Sequence, residues 1–235
     1  MLWLHGRTVS KELDPGRYLR WIRAGIAACA IDLPGHGERV DAGLQSPTRT
    51  LDIIEHAVGE IDRVVEALAD PRFASVFDLD RVGLGGMSAG GMVTLRRLCD
   101  SHSFSCAAVE STTGWLGEMY RAAGLEGWRG THAPERIAEV DPMERLDSFR
   151  PIPLLVLHSE GDVVVPFAGM QAFVERLGSV YAAHGSSPDL IEVKTWATTG
   201  APEEHSGFGR VAAEAKDTQV EFLSRTLHAT PIAQF

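Results

Sequence analysis

Apolar residues recur along this chain in two rhythms. Short β-rich apolar runs occupy Leu2–Leu4, Ile26–Ile31, Val82–Leu84, Cys106–Val109, Leu154–Leu157 and Ile191–Trp196. Runs of this length, separated by helix-period segments, predict strands of a parallel sheet covered on both faces. The intervening segments carry helix punctuation. Asp14 as N-cap, Pro15 in the first turn and Gly25 at the end frame one helix. Leu51, Ile54, Val58, Ile61, Val65 and Leu68 step by three and four, a single apolar stripe that Pro71 closes. Phe167, Met170, Phe173, Val174 and Leu177 repeat the pattern, as do Val211, Ala215 and Phe222 more sparsely. Strand and helix alternating from end to end predict an α/β fold, a doubly wound, mostly parallel sheet of about six strands flanked by helices. With no internal repeat, low-complexity tract or linker, residues 1–235 read as one domain.

The stretch 111–150 breaks this rhythm. It holds Trp115, Met119, Tyr120 and Trp128 among several glycines, between the fourth and fifth predicted strands. Long connections inside compact domains are commonly functional. The stretch reads either as a small cap beside the active site or as an irregular excursion with a helix packed on the surface.

Composition narrows the classes of partner. Hydrophobic residues make up 44% and charged residues 23%, ordinary for a globular domain. The formal net charge of −10 repels phosphate backbones and anionic lipid, which disfavours nucleic-acid and membrane-surface binding. Cys29, Cys99 and Cys106 are far apart, odd in number and without a CxxC pair, so they predict neither a zinc site nor a disulfide framework. A reducing, cytoplasmic location fits them. No apolar run is long enough to span a bilayer, and the first residues lack the features of a signal peptide.

The most informative segment is Val82-Gly83-Leu84-Gly85-Gly86-Met87-Ser88-Ala89-Gly90-Gly91. Gly86 to Gly90 form a G-x-S-x-G motif after an apolar run and before a helical one. A nucleophilic serine needs a tight strand-to-helix turn that lifts its hydroxyl above the sheet, and small flanking residues that let neighbouring chain approach. The following N–H, from Ala89, then lies at a helix N-terminus and can donate to a developing oxyanion. The rival reading is a dinucleotide loop. Gly83, Gly85 and Ser88 nearly match G-x-G-x-x-G, and Glu110 ends the next strand where a ribose-binding acid would sit. Ser88 in the third glycine position counts against it.

A serine hydroxyl needs a base, and the base an orienting acid. In the hydrolase arrangement the chain order is nucleophile, acid, base, each after a strand. After Pro153–Leu157 the turn His158-Ser159-Glu160-Gly161-Asp162 offers Asp162 as acid, with Glu160 as the fallback. After Ile191–Trp196 a Gly/Pro/Thr loop leads to His205, in the place of the base. His158 precedes the acid and would break the order, while His102, His184 and His228 read as surface or core residues. The Gly6 turn after the first strand can present the main-chain N–H of Arg7 as a second oxyanion donor.

These segments together resemble the α/β-hydrolase superfamily over nearly the whole chain. His5 to Glu12 is similar to its H-G-x-T-x-x-K-E oxyanion strand, and Asp32 to Glu38 to its D-x-x-G-H-G segment. Gly86 to Gly90 resembles the nucleophile elbow, and Asp162 to Pro166 the D-x-x-V-P acid turn. The likeness is greatest to small bacterial esterases related to dienelactone hydrolases and to prolyl-oligopeptidase-type catalytic domains. His36 reads as organising its turn. Two departures stand out: His158-Ser159 replaces the usual His-Gly, and the family's leading β-hairpin is absent before Leu2. Without that hairpin Ile26–Ile31 becomes a sheet edge, and an apolar edge invites pairing with a second copy, a homodimer.

The expectation is therefore a serine hydrolase of small carboxylic esters, with Ser88, Asp162 and His205 as triad, Arg7 and Ala89 as oxyanion donors, and no metal or organic cofactor. Thioesters, lactones, acetylated sugars and short peptides call for the same triad. Prolyl-peptidase chemistry fits less well, since no propeller accompanies the domain. Trp115, Tyr120 and Trp128 suggest a small, partly apolar pocket. The alternatives are a dinucleotide-binding oxidoreductase using Gly83–Gly91 and Glu110, and a non-catalytic ligand-binding relative.

Overall fold

The computed structural model describes residues 1–73, 76–120 and 132–228. Its six strands are β1 (Leu2–Leu4), β2 (Cys29–Ile31), β3 (Gly83–Met87), β4 (Cys106–Glu110), β5 (Leu154–Ser159) and β6 (Ile191–Trp196). All pair in parallel, in the order β2-β1-β3-β4-β5-β6. From β1 the chain steps first outward to β2, then back across to β3. The strand order thus reverses between β1 and β3, the crevice where open α/β sheets place their ligands.

Alternation along each strand sends side chains into two cores. Leu2 and Leu4 join one, while Met1 and Trp3 join the other. The first core is closed by α2 (Thr50–Val58), α3 (Ile61–Ala67), α4 (Ala89–Arg97) and α7 (Phe167–Ala183), through Leu51, Ile54, Val93 and Phe173 among others. The second is closed by α1 (Pro15–Arg23) and α8 (Ala212–Thr226), through Trp21, Ala215 and Phe222. Asp14 caps α1 by accepting the N–H of Arg17 at 3.3 Å, Pro15 begins it, and Gly25 follows with φ +81°. The stripe from Leu51 to Leu68 is not one helix. It breaks at Gly59, a poor helix former, where turn bonds from Gly59 to Glu55 (3.1 Å) and from Glu60 to Ala57 (3.0 Å) redirect the chain into α3.

Within 111–150, α5 (Leu116–Met119) and α6 (Pro134–Val140) bury Leu116, Met119, Ile137 and Val140 in the larger core. The Asp141 carboxylate pins the start of α5, accepting the N–H groups of Leu116 (3.0 Å) and Gly117 (2.6 Å). Trp128 lies outside the described residues. Strand β2 forms one edge of the sheet, and the groove beside it is bordered by Lys11, Glu38, Arg39, Glu60 and Arg63. The three thiols are unpaired, Cys99 and Cys106 buried and Cys29 half-buried. Among the described residues no helix is long and apolar enough to cross a membrane.

Candidate active site

The turn between β3 and α4 carries Ser88 at φ 52° and ψ −121°, a conformation costing a non-glycine residue on the order of 1–3 kcal/mol. Neighbouring bonds hold it there. The Ser88 N–H donates to the carbonyl of Glu110 (2.9 Å), and the Thr112 hydroxyl donates to the carbonyl of Ser88 (2.7 Å). The flanking glycines are required by contact. A Cβ on Gly86 would lie 2.4 Å from the carbonyl carbon of Gly90, and one on Gly90 would lie 2.3 Å from the Leu4 oxygen. The helix and β1 therefore meet backbone to backbone, which answers the sequence pattern without a bound phosphate.

The structure brings Ser88, His205 and Asp162 together from three loops at the carboxyl ends of the strands. Ser88 Oγ lies 3.0 Å from His205 Nε2, and His205 Nδ1 lies 2.7 Å from Asp162 Oδ2. The second Asp162 oxygen accepts the N–H groups of Val164 (2.9 Å) and Val165 (2.8 Å). Burial pushes the Asp162 carboxyl up, and the His158 and His205 rings together with the Val165 N–H outweigh it, leaving the pKa below its ordinary value. The carboxylate stays charged and favours the tautomer with a proton on Nδ1 and a free lone pair on Nε2 facing Ser88. Glu160, the fallback acid, turns away and accepts the Thr195 hydroxyl at 2.7 Å.

Two backbone segments meet beside Ser88. In the first turn of α4 the Ala89 N–H has no carbonyl four residues back to accept it. Across the crevice, a Cβ placed on Gly6 would sit 3.3 Å from the Ser88 Cβ, so the strand-to-helix loop that carries Arg7 packs directly on the serine. His5 organises that loop from below: its Nδ1 bonds the Gly6 carbonyl (2.5 Å) and its Nε2 accepts the N–H of Leu33 (3.0 Å). Asp32 ties the next turn, accepting the N–H groups of Lys11 and Glu38, and His36 bonds the Pro34 carbonyl.

Four supporting residues escaped the sequence reading. Ser159, where a glycine is usual, donates its hydroxyl to Glu204 at 2.7 Å. Glu204 also accepts the hydroxyl of Thr199 (2.8 Å) and the N–H of Gly200 (2.8 Å), so the loops that carry Asp162 and His205 are latched together. Arg17 of α1 and Gln219 of α8 hold Glu110. Arg17 gives two bonds to its carboxylate, at 2.5 and 2.7 Å, and Gln219 a third at 3.0 Å. Glu110 is thereby buried in an ion pair and is not a free ribose-binding acid, which corrects the dinucleotide alternative. The sequence signals were Ser159 in place of the usual glycine and a glutamate closing an otherwise apolar run.

A cavity of about 570 Å³ opens over Ser88 and His205. Its lining includes Asp14, Arg17, Glu110 and Lys216, which are paired with one another beside α1 and α8, and also Arg7, Val9, Thr50, Met92 and Val165. Trp115 and Tyr120 do not line it, nor does any other described residue of 111–150. Among the described residues no group of three or more His, Cys, Asp or Glu is placed to hold a metal ion.

The model of the prolyl oligopeptidase family matches residues 21–229. No curated protein matches the chain. Among solved structures, a puromycin-hydrolyzing peptidase of Mycobacterium tuberculosis is 19% identical with a TM-score of 0.73, covering 99% of this chain and 34% of its own. An acylaminoacyl peptidase of Pyrococcus horikoshii is 16% identical with a TM-score of 0.69, covering 100% of this chain and 38% of its own. This chain thus spans little more than a third of either. An esterase of Pyrococcus furiosus is 22% identical with a TM-score of 0.62, covering 96% of this chain and 82% of its own. At these identities the likeness establishes the shared α/β-hydrolase fold.

Proposed function

The chain belongs to the prolyl oligopeptidase family, a family of serine hydrolases, and on that premise we propose that it cleaves small carboxylic esters through an acyl-enzyme at Ser88. The observation that carries this reading is the continuous line from Ser88 Oγ through His205 to Asp162, at 3.0 and 2.7 Å. His205 takes the hydroxyl proton as Ser88 attacks the ester carbonyl, then returns it to the departing alcohol. Asp162 stabilises the imidazolium formed between those events. The N–H groups of Ala89 and Arg7 receive the oxyanion, each worth about 3 kcal/mol in the transition state. Water activated by His205 then releases the acid and restores Ser88.

The test is hydrolysis of a short-chain p-nitrophenyl ester by the wild type beside Ser88→Ala. Loss of several orders of magnitude in the variant is expected; equal rates in both would remove Ser88 as nucleophile. A second reading, hydrolysis of an aminoacyl or short peptide bond, is favoured by the family match. Aminoacyl p-nitroanilides assayed beside the esters decide between the two. The homodimer through β2 belongs to the same proposal, and light scattering that returns a monomer at working concentration would remove it.

A further inference from the structure

Three cations line the active-site cavity, and two of them are neutralised there. Arg17 holds Glu110, and Lys216 Nζ lies 2.9 Å from Asp14. Arg7 differs. No carboxylate of the described residues comes within ion-pair distance of it, and its hydrogen bond runs from Nη2 to the backbone carbonyl of Gln45, a neutral acceptor. Its Nε is buried without a partner, and Nη1 carries no hydrogen bond. Burial accordingly lowers the pKa of the guanidinium, with no anion nearby to raise it. A half-buried, uncompensated charge is costly to the free protein, and an anionic ligand recovers that cost on binding. Val9, Thr50 and Met92, which also line the cavity, bring no charge of their own. Glu203, the remaining carboxylate on the cavity, is exposed and makes no ion pair with Arg7.

Resting on the esterase reading above, we propose that the Arg7 guanidinium receives a substrate carboxylate, so that the preferred substrates are half-esters of dicarboxylic acids. Gly6 packs on Ser88, so the neighbouring Arg7 side chain starts beside the nucleophile. A carboxylate a few methylenes from the scissile carbonyl can then meet the free Nη1–H groups while the carbonyl oxygen faces the backbone donors. The part of the cavity beside α1 and α8, whose charges cancel in pairs, receives the uncharged end of the molecule. Guanidinium and carboxylate match as planar partners.

The probes are the monoethyl esters of glutaric, adipic and pimelic acid, each beside its ω-carboxamide, which keeps the shape and removes the charge. In the wild type the best acid should exceed its carboxamide in kcat/KM by about tenfold or more, and rising salt should shrink that ratio. In Arg7→Gln the ratio should fall to about one, and Arg7→Lys should keep part of it, whatever happens to either rate alone. Calorimetry on Ser88→Ala reads the same preference as binding of the intact esters. A binding preference for the acid without turnover by the wild type would sink the esterase reading and sustain the carboxylate site. Turnover with no preference in any pair, or a ratio that survives in Arg7→Gln, would overturn the site and leave the esterase standing.

Discussion

Arg17 and Glu110 stand 93 residues apart in the chain and meet through paired hydrogen bonds of 2.5 and 2.7 Å, both side chains almost wholly excluded from solvent. The guanidinium also lies over the Trp3 ring, 4.4 Å from its centroid. Because Ser88 donates its N–H to the Glu110 carbonyl, this pair sits one bond behind Ser88.

Breaking the pair from one side leaves a buried charge. Arg17→Met should lower the unfolding free energy by about 3–5 kcal/mol. The double variant Arg17→Met with Glu110→Leu should recover most of that loss, because removing both charges removes the desolvation penalty as well. Urea denaturation of the two single variants and the double one checks both statements.

The acid of the proposed triad is distinguished from its neighbour by the same kind of comparison. Asp162→Asn should cut kcat for the ester by about four orders of magnitude while the fold is retained, since the amide favours the wrong imidazole tautomer. Glu160→Gln should leave the rate close to wild type, as its carboxylate only meets Thr195. Steady-state kinetics with circular dichroism on both variants is the measurement.

Acid should weaken the fold through Asp32. Burial pushes this carboxyl up, but the Lys11 ammonium at 2.7 Å and the N–H groups of Lys11 and Glu38 bring it down from 3.8 to about 2. A depressed folded-state value stabilises the fold above the unfolded one, and that contribution disappears as pH falls through the folded one. Asp32 therefore contributes about 2 kcal/mol above pH ~4, lost as pH drops toward 2. The stability gap between wild type and Asp32→Asn should close across this window in urea titrations.

Two glycines separate close approach from backbone conformation. Gly90→Ala should prevent normal folding or cost well over 3 kcal/mol, because the new methyl meets the carbonyls of Leu4 and His5 at 2.3 and 2.6 Å. Gly185→Ala finds nothing within 4 Å and should cost only about 1–2 kcal/mol, the penalty of φ +73° for a side-chain-bearing residue. Thermal unfolding of both variants orders them.

What could be read from the chain was what local pattern encodes. Leu2–Leu4 and Ile191–Trp196 emerge as strands with those limits, and Ser88, Asp162 and His205 meet as their order along the chain implied. Of the run Ile26–Ile31 only Cys29–Ile31 is strand, whereas three other strands run past their apolar segments. Strand β3 runs on through Gly85, Gly86 and Met87 because β1 and β4 pair with it on both sides, which no glycine run announces. Strands β4 and β5 run on into Glu110 and into His158 and Ser159, polar residues that are buried because distant partners receive them. Those partners include Arg17 and Glu204, 93 and 45 residues away. Burial of polar groups depends on who arrives from elsewhere, and pattern along a single stretch is blind to it. The break at Gly59 is a different matter, a local glycine signal inside an unbroken apolar stripe.

The ladder between β5 and β6 aligns Leu154 with Ile191 at one end and Ser159 with Trp196 at the other, and one further bond joins Glu160 N–H to the Trp196 carbonyl. It acts as a ruler. Asp162 lies three residues beyond Ser159, and the loop to His205 leaves Trp196 at that same end of the scale. A slip of one residue would displace them by about 3.3 Å, more than the contact between acid and base can absorb. Strand β6 is the outermost of the sheet and only partly covered. Fraying of that edge would part Asp162 from His205 while the central strands stayed paired.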